Sequence, residues 1–250
     1  MKTFWEHLDE LRGCLVKVII AVVVGAVAAF VFKDLLFAVA LAPCETDFLI
    51  YRLTGAEPFA VNLVNISLTE QLMVHVKAAA YVGMMVASPY VLYILFRYVS
   101  PALYANERRY AGRIVVSAYV MFIVGTVVNY LVIFPFMLRF LVTYQVATAV
   151  TPMLSISSYM DTLMGMGLLM ALVFELPVVC WLLAKMGLLQ AKMMKACRRH
   201  AIVAVLIASA VITPTTDMFT LFVVAVPIWL LYELSILIVR WSATKPIMDT

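Results

Sequence analysis

In the stretch MALVFELPVVCWLL (Met170–Leu183) one carboxylate, Glu175, stands in an otherwise apolar run, two residues before Pro177. A charged side chain at the centre of a membrane helix costs on the order of 3 kcal/mol even on the mildest insertion scale. Proline removes a backbone donor from the same turn. A bare carboxylate at such a depth has to find water, a polar partner or a proton. Two readings follow. In the first, Glu175 faces a wet groove or a polar partner on another helix, and Pro177 bends the chain to shape that groove. In the second, a protonated Glu175 bonds a carbonyl freed by the proline.

Other acids stand where ordinary membrane patterning does not call for them. Glu6 and Glu10 lie one turn apart, with Asp9 nearby, away from an apolar stripe of Phe4, Leu8, Leu11 and Leu15. Thr3 and Glu6 form a T-x-x-E capping box at the start of that helix. Glu107 sits directly before Arg108 and Arg109 in RYVSPALYANERRYAGR. The positive-inside tendency explains those arginines but not the acid. Glu233 is a further acid within the spans, about 10 Å from the basic end of its helix by helix rise.

The elements that position these groups are membrane helices. Of 250 residues, 66% are hydrophobic and 13% charged, more apolar surface than a soluble domain of this length can hide. Six segments stand out, at about 16–42, 71–96, 114–138, 160–184, 201–212 and 219–239. A crossing needs roughly 20 residues at about 1.5 Å each. The fifth, AIVAVLIASAVI, covers only about 18 Å, so either it does not cross alone or the bilayer thins around it. The first segment is too long for a signal peptide, and the acids ahead of it do not suit one. It reads as a retained span. With six spans, one side holds fourteen of the Lys and Arg residues and the other only Lys33, Arg52, Lys77 and Arg139. Both termini are therefore expected to face the cytoplasm. The +4 net charge reflects that topology and carries no nucleic-acid signal. Residues 1–250 are expected to form a single all-α, polytopic domain.

Local patterns refine this reading. Glu175 lies about 15 Å from Lys185 and about 21 Å from Asp161 by helix rise, which is near mid-membrane. Lys77 reads as a snorkelling side chain near the outer end of the second span. Ser158 and Asp161 are candidate caps for the fourth. In TPTTD, Pro214 stops one helix and Thr216 or Asp217 can cap the next, while Pro227 interrupts the last span. The last two helices are expected to be short and to form a hairpin. Four cysteines support no disulfide framework, and the Cys and His spacing matches no metal site.

Four ordered stretches resemble the TatC family, the multi-span subunit of the twin-arginine protein translocase. They are HLDELR (His7–Arg12), SPYVLYILFRYVSPALYANERR (Ser88–Arg109), FELP (Phe174–Pro177) and ITPTTDMF (Ile212–Phe219). The resemblance implies a six-helix, glove-shaped fold with a concave face. It implies that Glu10 and Glu107 recognise signal peptides carrying paired arginines, with Arg12 and Phe96 beside them. Glu175 matches the family's buried acid and Asp217 the aspartate of the turn between the last two spans. Glu233 is grouped with Asp217 as a partner contact. The first outer loop, LAPCETDFLIYRLTGAEPFAV, departs from the common pattern, so Pro43 receives no role.

The implied partners are twin-arginine signal peptides, single-span TatA and TatB subunits, and membrane lipid, in an oligomeric complex of the cytoplasmic membrane. The proton gradient is the implied driving force, and the chain contains no G-x-x-x-x-G-K-[ST] phosphate loop. Arginine pairs bidentately with carboxylate where lysine cannot. Each charge-assisted bond is worth about 1.5–3 kcal/mol if partly desolvated. The plain alternative is surface charge, Glu10 pairing with Arg12 or Lys17 and Glu107 with Arg108 or Arg113. The rival function is a proton-coupled secondary transporter that uses Glu175. No enzyme motif such as G-x-S-x-G or H-E-x-x-H occurs, and no cofactor is expected.

Overall fold

The computed structural model describes residues 4–45, 47–55, 61–99, 111–144, 153–215 and 217–243. Its helices are α1 (Phe4–Val31), α2 (Lys33–Leu41), α3 (Leu49–Thr54), α4 (Glu70–Val99), α5 (Ala111–Val128), α6 (Phe134–Thr143), α7 (Ile156–Val173), α8 (Leu176–Lys185), α9 (Ala191–Ala196), α10 (Arg198–Ile212) and α11 (Met218–Ala243). A π segment, Asn129–Ile133, joins α5 to α6 without a break. Two short parallel strands, β1 (Leu63–Val64) and β2 (Leu154–Ser155), pair Leu63 with Leu154 and Val64 with Ser155. The end carrying the start of α1 is called inner here, following the Lys and Arg distribution.

Five stretches are long and apolar enough to cross a membrane: Leu11–Val31, Glu70–Arg97, Ile114–Thr143, Ile156–Lys185 and Met218–Trp241. α10, at 15 residues, spans about 22 Å and falls short of the hydrocarbon thickness. The last pair is uneven. α11 runs for 26 residues with Pro227 inside it, so the expectation of two short helices holds for α10 alone. Proline removes one backbone bond, and a helix held by packing on both sides tolerates that loss.

Other boundaries differ from expectation for local reasons. The first segment is two helices, because Phe32 (φ −92°, ψ 47°) leaves helical geometry between α1 and α2. The fourth is also two. α7 stops at Val173, four residues before Pro177, at the carbonyl that a proline ring clashes with and leaves without a donor. In α4 the same problem has another solution. Pro89 leaves the Met85 carbonyl free, and the Ser88 hydroxyl donates to it at 2.7 Å. The π segment ends two residues ahead of Pro135 and widens the turn that this ring would otherwise enter.

The core lies where α4, α6, α7 and α11 meet and includes Val74, Phe134, Met160, Met170 and Ile228, all buried. α1 sits outside it, and its span leaves broad apolar faces exposed, as Val24 and Val27 show. It packs along α4, most closely at one crossing. A Cβ on Gly25 would lie 2.9 Å from the Gly83 carbonyl oxygen, and one on Gly83 would collide with the backbone of Ala26 and Val22. Helices approach this closely in a membrane only through small residues.

That crossing predicts an asymmetry between two glycines. Gly83→Val should lower the unfolding temperature in detergent by several degrees, since the obstructing atoms are backbone and overpacking costs about 1–3 kcal/mol. Gly13→Ala, with open space around it, should leave the temperature unchanged or raise it slightly.

Candidate functional site

α1 and α4 run antiparallel. Phe30 stacks on His75 with ring centroids 3.9 Å apart, and further inward Gly25 meets Gly83. Arg12 lies thirteen residues before Gly25 and Phe96 thirteen residues after Gly83. Both are about 20 Å from the crossing by helix rise, so they reach the same inner level. Arg12 is exposed and Phe96 half-buried there. Glu10 belongs to the first turns of α1, but its side chain lies outside the described residues. Glu107 lies outside them altogether, as does Thr3 of the expected capping box.

Glu175 sits at the break between α7 and α8. Its N–H donates to the Leu172 carbonyl at 3.1 Å, and its own carbonyl accepts from Val178 and Val179, each at 3.0 Å. The turn is held in place from α5. Phe174 packs on Gly125, where a Cβ would lie 2.8 Å from the Phe174 Cβ. The Glu175 side chain is half-buried, and its Oε1 is enclosed without a hydrogen-bond partner among the described residues. Among the described residues this oxygen makes no bond to a carbonyl. Leu172, Leu176 and Val179, on the same helical face, are exposed. Glu175 therefore lies on an open flank of the helix rather than in sealed core.

The acids of the last two helices are engaged within the chain. Asp217 takes the capping role expected of the TPTTD turn. Its Oδ1 accepts from the Thr220 N–H and its Oδ2 from the Thr220 hydroxyl, both at 2.7 Å. Partial burial works to raise the Asp217 pKa, but the nearby Thr215 hydroxyl and the hydrogen bonds from Thr220 together outweigh it, and the carboxyl pKa stays below its ordinary value. Glu233 receives Arg198 at 2.7 Å, and beside it the Tyr232 hydroxyl donates to the Met194 carbonyl at 2.8 Å. These contacts tie α9 and the start of α10 to α11.

At the outer end the expected caps of α7 are replaced. Ser155, not Ser158, is the capping residue, accepting from the Ser158 N–H at 3.1 Å. Asp161 instead holds Lys77 of α4 through both oxygens, at 2.8 and 2.9 Å, so Lys77 is an ion-pair partner rather than a snorkelling cation. Glu70 was not singled out from sequence, yet it is buried and joins three segments. Its Oε2 accepts from the N–H groups of Ile66 and Ser67, and its Oε1 from that of Ser157. The sequence signal was available: an acid in the first turn of a helix is placed to accept from nearby backbone donors.

Three tyrosines form a second unforeseen feature. Tyr130 and Tyr159 donate to the Val39 and Ala40 carbonyls, at 2.6 and 2.8 Å. These belong to the last turn of α2, where the Val39 carbonyl also accepts from the Ala42 N–H. Tyr51 donates to the Pro43 and Pro135 carbonyls at 3.1 and 3.3 Å. Pro43 is thus buried in a tyrosine-lined outer cap.

Antiparallel membrane helices, a hairpin with one short member and an acid at a mid-span helix break define a polytopic, helical membrane protein. Comparison with known proteins specifies which. Residues 6–227 match the family model described as "Sec-independent protein translocase protein (TatC)", and the chain belongs to the TatC family. The TatC of Carboxydothermus hydrogenoformans is 30% identical over 243 residues, covering 97% of this chain and 95% of that protein. The TatC of Desulforapulum autotrophicum is 34% identical over 246 residues, covering 98% and 87%. A crystal structure titled "Twin Arginine Translocase Receptor- TatC" superposes with a TM-score of 0.79 at 30% identity, over 95% of this chain and all of that one. The chain is accordingly a membrane subunit of the Tat protein-transport system, and its family is a translocase component rather than an enzyme.

Two measurements follow from the geometry. Asp217→Ala should cost about 0.5–2 kcal/mol of stability through loss of the cap. Because the folded-state pKa of Asp217 is lowered, this contribution is complete above the ordinary carboxylate range. It disappears as pH falls through the lowered folded value. The unfolding temperatures of wild type and variant should therefore converge in acid. Lys77→Met should cost less than about 1 kcal/mol, since both partners of that pair are about half-exposed.

Proposed function

We propose that this TatC-family chain binds twin-arginine signal peptides at its cytoplasmic rim through Glu10 and Glu107, with Arg12 and Phe96 alongside. It lies in the cytoplasmic membrane with both termini inside. The observation that carries the reading is the antiparallel register of α1 and α4. The Gly25–Gly83 crossing levels the inner ends of the two helices, where Arg12 and Phe96 stand, and Glu107 follows the end of α4 in sequence. Two carboxylates brought to this rim can each take one guanidinium bidentately, a geometry an ammonium does not reproduce.

The apolar part of the peptide then lies along the concave face of the family fold. Single-span TatA- and TatB-type subunits pack beside the later helices. The unpartnered oxygen of Glu175 and the exposed flank of Leu172, Leu176 and Val179 support a lateral contact there. Asp217 and Glu233 set the shape of the α10–α11 pair that these subunits meet, one capping α11 and the other holding α10 through Arg198. The proton gradient drives export of folded cargo by the assembled complex.

Co-purification with a tagged peptide carrying paired arginines, against the same peptide carrying paired lysines, is the direct test. The arginine form should be retained at least tenfold better, as expected when one charge-assisted bond of about 1.5–3 kcal/mol is lost. Glu107→Gln and Glu10→Gln should each abolish most of that preference while membrane insertion is unchanged. Unaltered capture by both variants would refute the recognition role. Glu175→Ala should leave capture intact and lower export or assembly with the single-span subunits. Loss of capture alone would show that the roles are divided differently.

A further inference from the structure

The outer ends of α6 and α11 enclose a recess of about 410 Å³ lined by Phe136, Arg139, Phe140, Thr143, Tyr144 and Phe219. Arg139 is its only charged lining residue and has no hydrogen bond or ion pair among the described residues. The other outer cations differ. Lys77 is held by Asp161, and Lys33 and Arg52 are exposed outside this recess. Asp217 lies two residues before Phe219, but both of its oxygens are engaged by Thr220. Among the described residues the half-buried Arg139 makes no ion pair, and its guanidinium stands beside an aromatic wall. Phe140 stacks on Phe219 at 4.4 Å, and Tyr144 continues the wall at 6.0 Å from Phe140.

Depth selects the ligand class. Arg139 precedes the end of α6 by four residues, about 6 Å of helix rise, which places it at headgroup level. Aromatic rings concentrate at that level because one face meets acyl chains while the edge stays wet. Arginine binds phosphate oxygens bidentately, and basic pockets between membrane helices take anionic lipid headgroups. A soluble anion would satisfy the cation but leave the aromatic wall without a ligand. We propose that this recess binds an anionic phospholipid of the outer leaflet, its phosphate on Arg139 and its glycerol and upper acyl region against Phe136, Phe140 and Phe219. The site lies apart from Glu175 and from the inner rim, and it does not depend on the signal-peptide reading.

The test uses the full chain, purified in detergent, delipidated and titrated with phosphatidylglycerol or phosphatidylcholine. Retained lipid is counted by native mass spectrometry. Arg139→Gln should weaken phosphatidylglycerol retention about tenfold, as loss of a charge-assisted bond predicts. Arg52→Gln, on an exposed outer cation, should leave it unchanged. Phosphatidylcholine, whose choline cation offsets the same phosphate, should be retained less well by wild type and should lose less on Arg139→Gln, and soluble glycerol phosphate should fail to compete at equal concentration. Should Arg139→Gln not fold, Tyr144→Ser removes part of the wall at a position 67% exposed, and retention should fall severalfold. Equal retention by wild type and the folded variant would overturn the proposal. An equal fall in Arg52→Gln would assign the effect to diffuse charge, and effective competition by glycerol phosphate would assign it to a simple anion site. A carboxylate of a single-span subunit crosslinking to this recess in place of lipid would also overturn it.

Discussion

Inside a bilayer no water is available to a backbone or side-chain group that the fold leaves without a partner, and each such group costs several kcal/mol. Much of this structure answers to that constraint. Pro89 frees the Met85 carbonyl, and the Ser88 hydroxyl occupies it. At the last turn of α2, tyrosines from the π segment and α7 donate to the carbonyls of Val39 and Ala40. The start of α4 and the entry to α7 present N–H groups, and Glu70 collects three of them. The start of α11 is closed by Asp217. Four enclosed side-chain atoms have no partner among the described residues, His75 Nε2, Asn129 Oδ1, Glu175 Oε1 and Thr215 Oγ1, and that of Glu175 occurs at a helix break beside an exposed flank.

The division between rigid and open regions follows from the same accounting. The outer end is cross-linked by polar contacts over long sequence separations, Lys77 to Asp161 and Glu70 to Ser157 among them. These join α4 to α7 and hold them in fixed relation. α1 lies along α4 in the most extensive helix–helix contact of the structure, with its closest approach at Gly25 and Gly83. Arg198 and Glu233 give the short α10 a comparable anchor on α11, so a helix too short to cross by itself is still held in register.

Several features were legible in the residues themselves. The apolar runs, the shortness of α10, the capping role of Asp217 and the mid-span position of Glu175 are all local properties. A helix records its own length, period and termini in its own sequence. The exposed proline-linked turn of TPTTD falls in this class, because a cap reaches only a few residues. Lys77 shows the limit. Its position near a span end was clear, yet its partner Asp161 is 84 residues away, and a snorkelling reading suited the local sequence equally well.

The amino-acid sequence by itself therefore determined the helical membrane class, the family motifs and the place of Glu175 midway along its span, because hydropathy and helix rise are properties of single segments. The tertiary structure alone decided which groups share a partner. It matched Gly25 with Gly83, placed Glu70 on Ser157, broke the fourth span before Pro177 and left Glu175 on an open flank. Those outcomes depend on which faces meet. In an apolar span every face is compatible with burial or with lipid, so the pairing is set by close packing and by the matching of polar groups between helices.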